Sequence, residues 1–178
     1  PTDEVNGYSV TMIDNGMPCV IIKATQLGLK GNENVEELEK NSVLRETLEA
    51  LRLKCGKIMS LGDVKEKTVP KMTIVSKPLQ NGMINTRTFI PHRCHQSIGV
   101  FGAISVATAC LIEDTQANSI SIIPRREKIL CSIEHPSGQM QVVAELRDKN
   151  IKSTAILRTA RKLFDGVVFP DGEAVKEN

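Results

Sequence analysis

Aromatic side chains are nearly missing from this chain, which has no tryptophan, one tyrosine and four phenylalanines in 178 residues. A platform that stacks nucleobases is built from such rings, so their scarcity argues against single-stranded nucleic-acid binding. The net charge is only +2, and the basic residues are dispersed, with no run of five like charges. That leaves no electrostatic footprint for DNA or RNA. There is no P-loop, no G-x-G-x-x-G, no G-x-S-x-G and no H-E-x-x-H, so the common nucleotide, serine-hydrolase and zinc-protease signatures are absent. No signal peptide is visible. The longest uncharged run, Gln96 to Ile112, is short for a membrane span and carries Gln, Ser, Thr and Gly, so no membrane partner is expected. The five cysteines are an odd number without a disulfide spacing. Cys19, Cys110 and Cys131 sit in apolar runs, which suits free thiols in a reducing cytoplasm.

What is present is an aliphatic core alphabet of Ile, Val, Leu, Met and Ala, within a hydrophobic content of 40%. That suffices for one soluble domain without disulfides or metals. Tyr8–Ile13 and Cys19–Ala24 read as strands around the turn Asp14 to Pro18, with Asn15-Gly16 at its centre. Asn34 followed by Glu37 is a helix start. Leu44, Leu48, Leu51, Cys55 and Ile58 then fall on one helical face. Lys71–Ser76, Met83–Phe89, Ser119–Ile123, Leu130–His135, Gln139–Leu146 and Ile151–Leu157 read as strands, with Pro136-Ser-Gly138 as a hairpin turn. Asp165–Phe169 is a candidate final strand, and residues 170–178 a loose polar tail. Gln96–Ile112 has no polar stripe and must be enclosed. Strands in hairpins with few helices predict an α+β domain: a curved, largely antiparallel or mixed sheet wrapped around that central helix.

The chemistry-bearing residues gather at Ile90-Pro-His-Arg-Cys-His-Gln-Ser-Ile98, directly before the uncharged run. If the helix starts there, its free N–H groups lie beside a thiol, two imidazoles and a guanidinium, a setting suited to a carboxylate. Cys94 is then expected to have a lowered thiol pKa. His92 and His95 suit acid–base work or a carboxylate clamp. Arg87, Arg93 and Lys71 are cations in or beside apolar strands and call for anionic partners. The turn Asn15-Gly16-Met17 offers amides to a carboxylate. The plain alternatives are an inert thiol, capping histidines, a solvated edge lysine and an ordinary turn.

Ile13-Asp-Asn-Gly-Met-Pro18, Leu61-Gly-Asp63, Val69-Pro-Lys-Met72, Phe89-Ile-Pro-His-Arg-Cys-His95 and Leu157-Arg-Thr-Ala-Arg161 resemble, in order, the family of 4-oxalomesaconate tautomerases and 2-methylaconitate cis-trans isomerases. That family belongs to the diaminopimelate epimerase-like superfamily. The resemblance implies two similar domains, each a curved sheet around a central helix, with the active site between them. Residues 1–169 look like the second, C-terminal domain alone. The missing N-terminal domain of the same protein is then an expected partner, the start at Pro1 is expected to mark a processed or truncated piece, and the isolated chain is expected to be nearly inactive. The implied chemistry is cofactor-free proton transfer on a tricarboxylate such as 4-oxalomesaconate. Cysteines act as acid and base in the wider superfamily, and Cys94 lies near one such position. The resulting candidates are Cys94 and His95 as catalytic groups, with Asn15, Gly16, Met17, Lys71, Arg87, His92, Arg93 and Ser97 as substrate contacts. No metal is expected, and a homo-oligomer is an open expectation. Two other readings stay open: a non-catalytic interaction domain, and a small zinc protein built on His92, Cys94 and His95, with Cys131 and His135 as distant candidates.

Overall fold

The computed structural model describes residues 1–124, 126–148 and 150–168. Eight strands form one mixed sheet among the described residues: β1 (Asp3–Val5), β2 (Tyr8–Asp14), β3 (Pro18–Lys23), β4 (Lys71–Ser76), β5 (Ile84–Phe89), β6 (Lys128–His135), β7 (Gly138–Arg147) and β8 (Asn150–Ile156). Spatial order equals chain order. Pairings are antiparallel except β3 with β4 and β5 with β6, which are parallel. A parallel pair needs a crossover. Helices α1 (Val35–Lys40) and α2 (Ser42–Ile58) supply the first, and α3 (Val100–Leu111) lies in the second.

The β2–β3 hairpin turns at Gly16, whose φ of +86° favours glycine. An alanine there would also press on the Phe101 ring, with its Cβ 3.0 Å from Cδ1. At α1, Asn34 accepts from the Glu37 amide while Glu37 accepts from the Asn34 amide, each at 2.9 Å. Asn41 caps α2 through the Leu44 amide at 3.0 Å and separates it from α1. Along α2, Leu44, Leu48, Leu51 and Cys55 are buried as their spacing predicts. Ile58, next in the series, is half exposed because the helix is ending.

The sheet has two covered faces. On one, Ile21, Val75, Ile84, Cys131, Ile133 and Val142 pack on α3. On the other, Val20, Ile22, Met72, Ile74 and Phe89 pack with Leu38 of α1 and Leu48, Leu51 and Cys55 of α2. The covering on both sides explains why β3 is a nearly continuous apolar run. Eight residues of α3 are buried, so the predicted enclosed helix is present. It is shorter than expected: Gln96 to Gly99 form no part of it, and Gly99 is its N-cap. Ser119–Ile123 is likewise no strand, its first residues forming a 3-10 turn, Asn118–Ile120. Residues 165–168 form no strand. Phe169 and the expected tail 170–178 lie outside the described residues.

Arg52, with 0% exposure, ties α2 to the chain entering β4. It makes a bidentate pair with Glu49, at 2.7 and 2.9 Å. Its guanidinium also donates to the carbonyls of Val64, Lys67 and Val69, at 2.9, 3.0 and 3.0 Å. Gly56 lets this loop approach, since a Cβ there would lie 2.5 Å from Val64 Cγ2. Arg52→Met leaves Glu49 and four carbonyls, that of Lys65 included, without their partner. Urea denaturation is expected to show a loss of about 3 kcal/mol. A loss below about 1 kcal/mol, the worth of an exposed pair, would show that the loop is held without Arg52.

Candidate functional site

The start of α3 is the most ligand-ready point of the described fold. Gly99 provides no side-chain cap, and the first-turn amides of Val100, Phe101 and Gly102 have no intrahelical acceptor. Beside them opens a cavity of about 190 Å³, lined by Met17, Lys71, Thr88, Ile98 and Gly99 to Gly102. Lys71 opens β4 and is only 9% exposed. No carboxylate among the described residues lies within 4.0 Å of its ammonium. Its pKa sits below the ordinary lysine value because burial penalises the charge, and the Arg52 guanidinium adds repulsion. The amides and this ammonium both favour an anion.

The hairpin turn is fastened to the same helix. Ser105 Oγ donates to the Met17 carbonyl at 2.8 Å and accepts from the Asn15 amide at 3.2 Å. Met17 therefore lines the cavity, with Gly16 against the Phe101 ring. The Asn15 side chain turns away, donating to Thr108 Oγ1 at 2.9 Å. There it lines a larger open cleft of about 950 Å³ near Leu111 and Asn150. Among its described lining residues there is no buried charge, and Glu113 and Arg126 are of opposite sign, so it is the weaker candidate anion site.

The predicted cluster divides. Arg87 lies on the α1/α2 face of the sheet, donating to the Glu33 carbonyl at 2.8 Å and to Asn85 Oδ1 at 2.9 Å. Arg93 is exposed and pairs with Glu39 of α1 at 2.8 Å, an interaction that holds the Glu39 carboxyl below its ordinary pKa. His92 Nδ1 is 3.5 Å from Glu49 of α2. Cys94 corrects the sequence reading most sharply. It precedes α3 by six residues, bridges to Phe89 and is 5% exposed among the α1/α2-side core residues. Burial pushes its thiol up to about 11, although Arg87 opposes the shift. Desolvation outweighs the nearby cation, so the expected lowering does not occur. His95 and Ser97 are exposed on the segment running into α3, with the His95 amide bonded to the Thr88 carbonyl at 2.9 Å. His135 is beside Ser137, and Cys131 packs under α3. Among the described residues no three His, Cys, Asp or Glu side chains converge, which counts against the zinc reading. No described helix is long and apolar enough to cross a membrane.

Thr88, Phe101 and Gly102 were not singled out from the sequence. The two-residue period could have put Thr88 on the face of Lys71, because Thr88 is opposite Thr73 and Lys71 lies two residues from Thr73 on β4.

The PrpF protein family profile matches residues 2–171. This chain belongs to that family. It is 52% identical over 168 residues to the (4E)-oxalomesaconate Delta-isomerase of Novosphingobium sp. strain KA1, covering 94% of this chain and 47% of that protein. It is 52% identical over 166 residues to the 4-oxalomesaconate tautomerase of Pseudomonas putida, covering 93% and 46%. The chain thus spans about half the length of these relatives. A crystal structure of methylitaconate-delta-isomerase superposes with a TM-score of 0.80 at 20% identity, over 93% of this chain and 48% of that one. A hydroxyproline epimerase structure gives 0.54 at 15% identity, over 82% and 39%. The fold is therefore diaminopimelate epimerase-like, as the sequence motifs predicted.

Low thiol reactivity follows from burial. At pH 7.5 a thiol with a pKa of about 11 is roughly 0.03% thiolate. Iodoacetamide is expected to alkylate all five cysteines slowly in the native chain and rapidly after unfolding. Selective labelling of Cys94 within minutes would refute the inert assignment.

Proposed function

We propose that this chain forms one wall of an isomerase site that takes a di- or tricarboxylate such as 4-oxalomesaconate and moves a proton without a cofactor. The names of the relatives at 52% identity support the reaction class. The observation that carries the reading is the largely buried Lys71, without a carboxylate within 4.0 Å among the described residues, beside the free first-turn amides of α3. In keto–enol transfer, a base takes the proton next to the carbonyl. The C–H electron pair becomes the new C=C bond, and negative charge develops on oxygen. Lys71 and the amides of Val100, Phe101 and Gly102 would hold that oxygen or a neighbouring carboxylate. Met17, with Gly16 behind it, shapes the side of the pocket; the exposed Ser97 and His95 precede its lining residues Ile98 and Gly99 in the chain.

The proton-transfer groups are assigned elsewhere. Lys71 is the one titratable side chain among the described residues lining the cavity, and the Cys94 thiol is buried and protonated. In this reading, the acid and base come from the part of the relatives' length that this chain does not match. The chain alone then turns over 4-oxalomesaconate poorly, because lost orientation is worth about 7 kcal/mol or more. Robust turnover by the 178-residue chain, abolished by Cys94→Ala, would overturn this reading.

Binding is tested separately by titrating citrate and following amide resonances. Shifts are expected at Lys71 and Gly99 to Gly102 at millimolar ligand, with Lys71→Met weakening binding about tenfold or more. A bound carboxylate favours the charged ammonium, so affinity is highest at pH below the lowered Lys71 pKa. It falls as pH rises through that value. Shifts confined to His92–Cys94, or affinity that grows with pH, would count against the site.

A further inference from the structure

At the opposite end of the parallel β3–β4 pair lies a second pocket, of about 270 Å³. Its floor is apolar, with Ala24 and Val75 each 1% exposed, and Ile120 and Leu79 close its sides. Its polar lining is basic: Lys23 ends β3, Lys30 follows the 3-10 turn, and Lys77 follows β4. No carboxylate among the described residues lies within 4.0 Å of any of these three ammonium groups. Lys77 stands six residues beyond Lys71, about 20 Å along an extended chain at ~3.3 Å per residue. The two sites are therefore separate.

The walls are fixed by bonds that leave the lysines out. Glu33 accepts from the amides of Lys30 and Gly31, at 2.7 and 2.8 Å. The buried Glu134 accepts from the amides of Leu79, Gln80 and Gly82, at 2.6, 2.9 and 2.8 Å. Asn85 joins the two walls, donating to the Gly31 carbonyl at 2.7 Å and to Ser76 Oγ at 2.8 Å. Gly31 fits against Ser76 because it has no Cβ. Both nearby carboxylates are thus engaged by backbone. The pocket is held open in one shape before any ligand arrives, which removes an ordering cost from binding.

We propose that this pocket binds a small phosphate monoester with an apolar body. Three lysines present point charges, which suit a phosphate. An arginine fork, the usual device for a planar carboxylate, is absent from the lining. The Thr25 hydroxyl is exposed at the rim as a further donor. The volume of about 270 Å³ accommodates about nine non-hydrogen atoms at roughly 30 Å³ each, the space of a water molecule. The body of the ester covers Ala24, Val75 and Leu79 while the phosphate meets the lysines.

Phenyl phosphate is a suitable probe, titrated into the isotope-labelled 178-residue chain. Saturable shifts are expected at Lys23, Thr25, Ser76 and Leu79, with none at Lys71 or Gly99 to Gly102. The double variant Lys30→Gln with Lys77→Gln alters two exposed side chains. It should keep the native amide spectrum and bind about tenfold more weakly, or about 1.4 kcal/mol. Inorganic phosphate should shift the same lysines at higher concentration, and benzoate should bind more weakly than phenyl phosphate. The proposal is overturned by any of four results: no saturable shift up to about 20 mM, which means a Kd above that value and binding weaker than ~2.3 kcal/mol; unchanged affinity in the double variant; shifts at the Lys71 site instead; or benzoate binding as tightly as phenyl phosphate.

Discussion

Helix α3 has no charged side chain in twelve residues, and the fold is organised by the need to keep it from water. A helix that is apolar all round finds no stable place on a surface. Strands β2, β3, β6, β7 and β8 all contact it, and this is possible because the sheet curves. Small residues make the close approach feasible: Gly102, Ala103, Ala107 and Ala109 are all buried. Enclosure along the sides leaves the helix ends to meet the outside, and the N-terminal end does so beside Lys71. The exposed Phe101, at 55%, marks that opening. The proposed anion site therefore follows from the packing problem, because the same burial that stabilises α3 leaves its first-turn amides beside a cavity.

Strand parity decides which cations reach that cavity. On β5, Thr88 faces α3 while Arg87 and Phe89 face α1 and α2. On β4, Lys71 shares a face with Val75, and Met72 with Ile74. Residues adjacent in sequence are thus separated by the thickness of the sheet. His92 and Arg93 continue toward the α1/α2 side, where Glu49 and Glu39 receive them. These acids lie on helices reached by the β3-to-β4 crossover, far away in sequence, and nothing local announces them.

Most strands were legible because their apolar runs end at turn residues: Asn15-Gly16 before β3, Pro70 before β4, and Pro136-Ser137-Gly138 between β6 and β7. The capping box at Asn34 and Glu37 was legible because it is written in four residues. The start of α3 was not. Gln96 to Gly99 are as uncharged as the helix itself, and absence of charge reports burial or lack of polarity, not backbone conformation. What fixes those residues is long-range: the His95 amide bonds the Thr88 carbonyl and Ser137 bonds the Gln96 carbonyl. The Cys94 error has the same root. Its cationic neighbours are visible in sequence, whereas its burial beside Phe89 and under α1 and α2 is a tertiary fact. Likewise Ser119 to Ile123 has strand composition, but the side-chain bond of Thr115 to the Asn118 amide winds that stretch into a turn.

Lys71 is where local stability is given up. A lysine this buried, without a carboxylate within 4.0 Å among the described residues, is disfavoured in its charged form. Natural sequences break such rules mainly at functional positions. The surroundings hold Lys71 there firmly: Arg52 grips the loop ending at Val69, and the register with Cys19 sets the first residue of β4. An arriving anion removes the penalty, so its binding is favoured beyond what an exposed lysine would give. In the proposed isomerase wall this has a directional consequence. Charge that builds on a substrate oxygen during proton transfer meets an ammonium on a largely buried side chain, and the interaction grows as the reaction advances. Such a wall stabilises charge without moving a proton itself. That matches a lining with a cation, amides and one hydroxyl, but no carboxylate, imidazole or accessible thiol among its described residues.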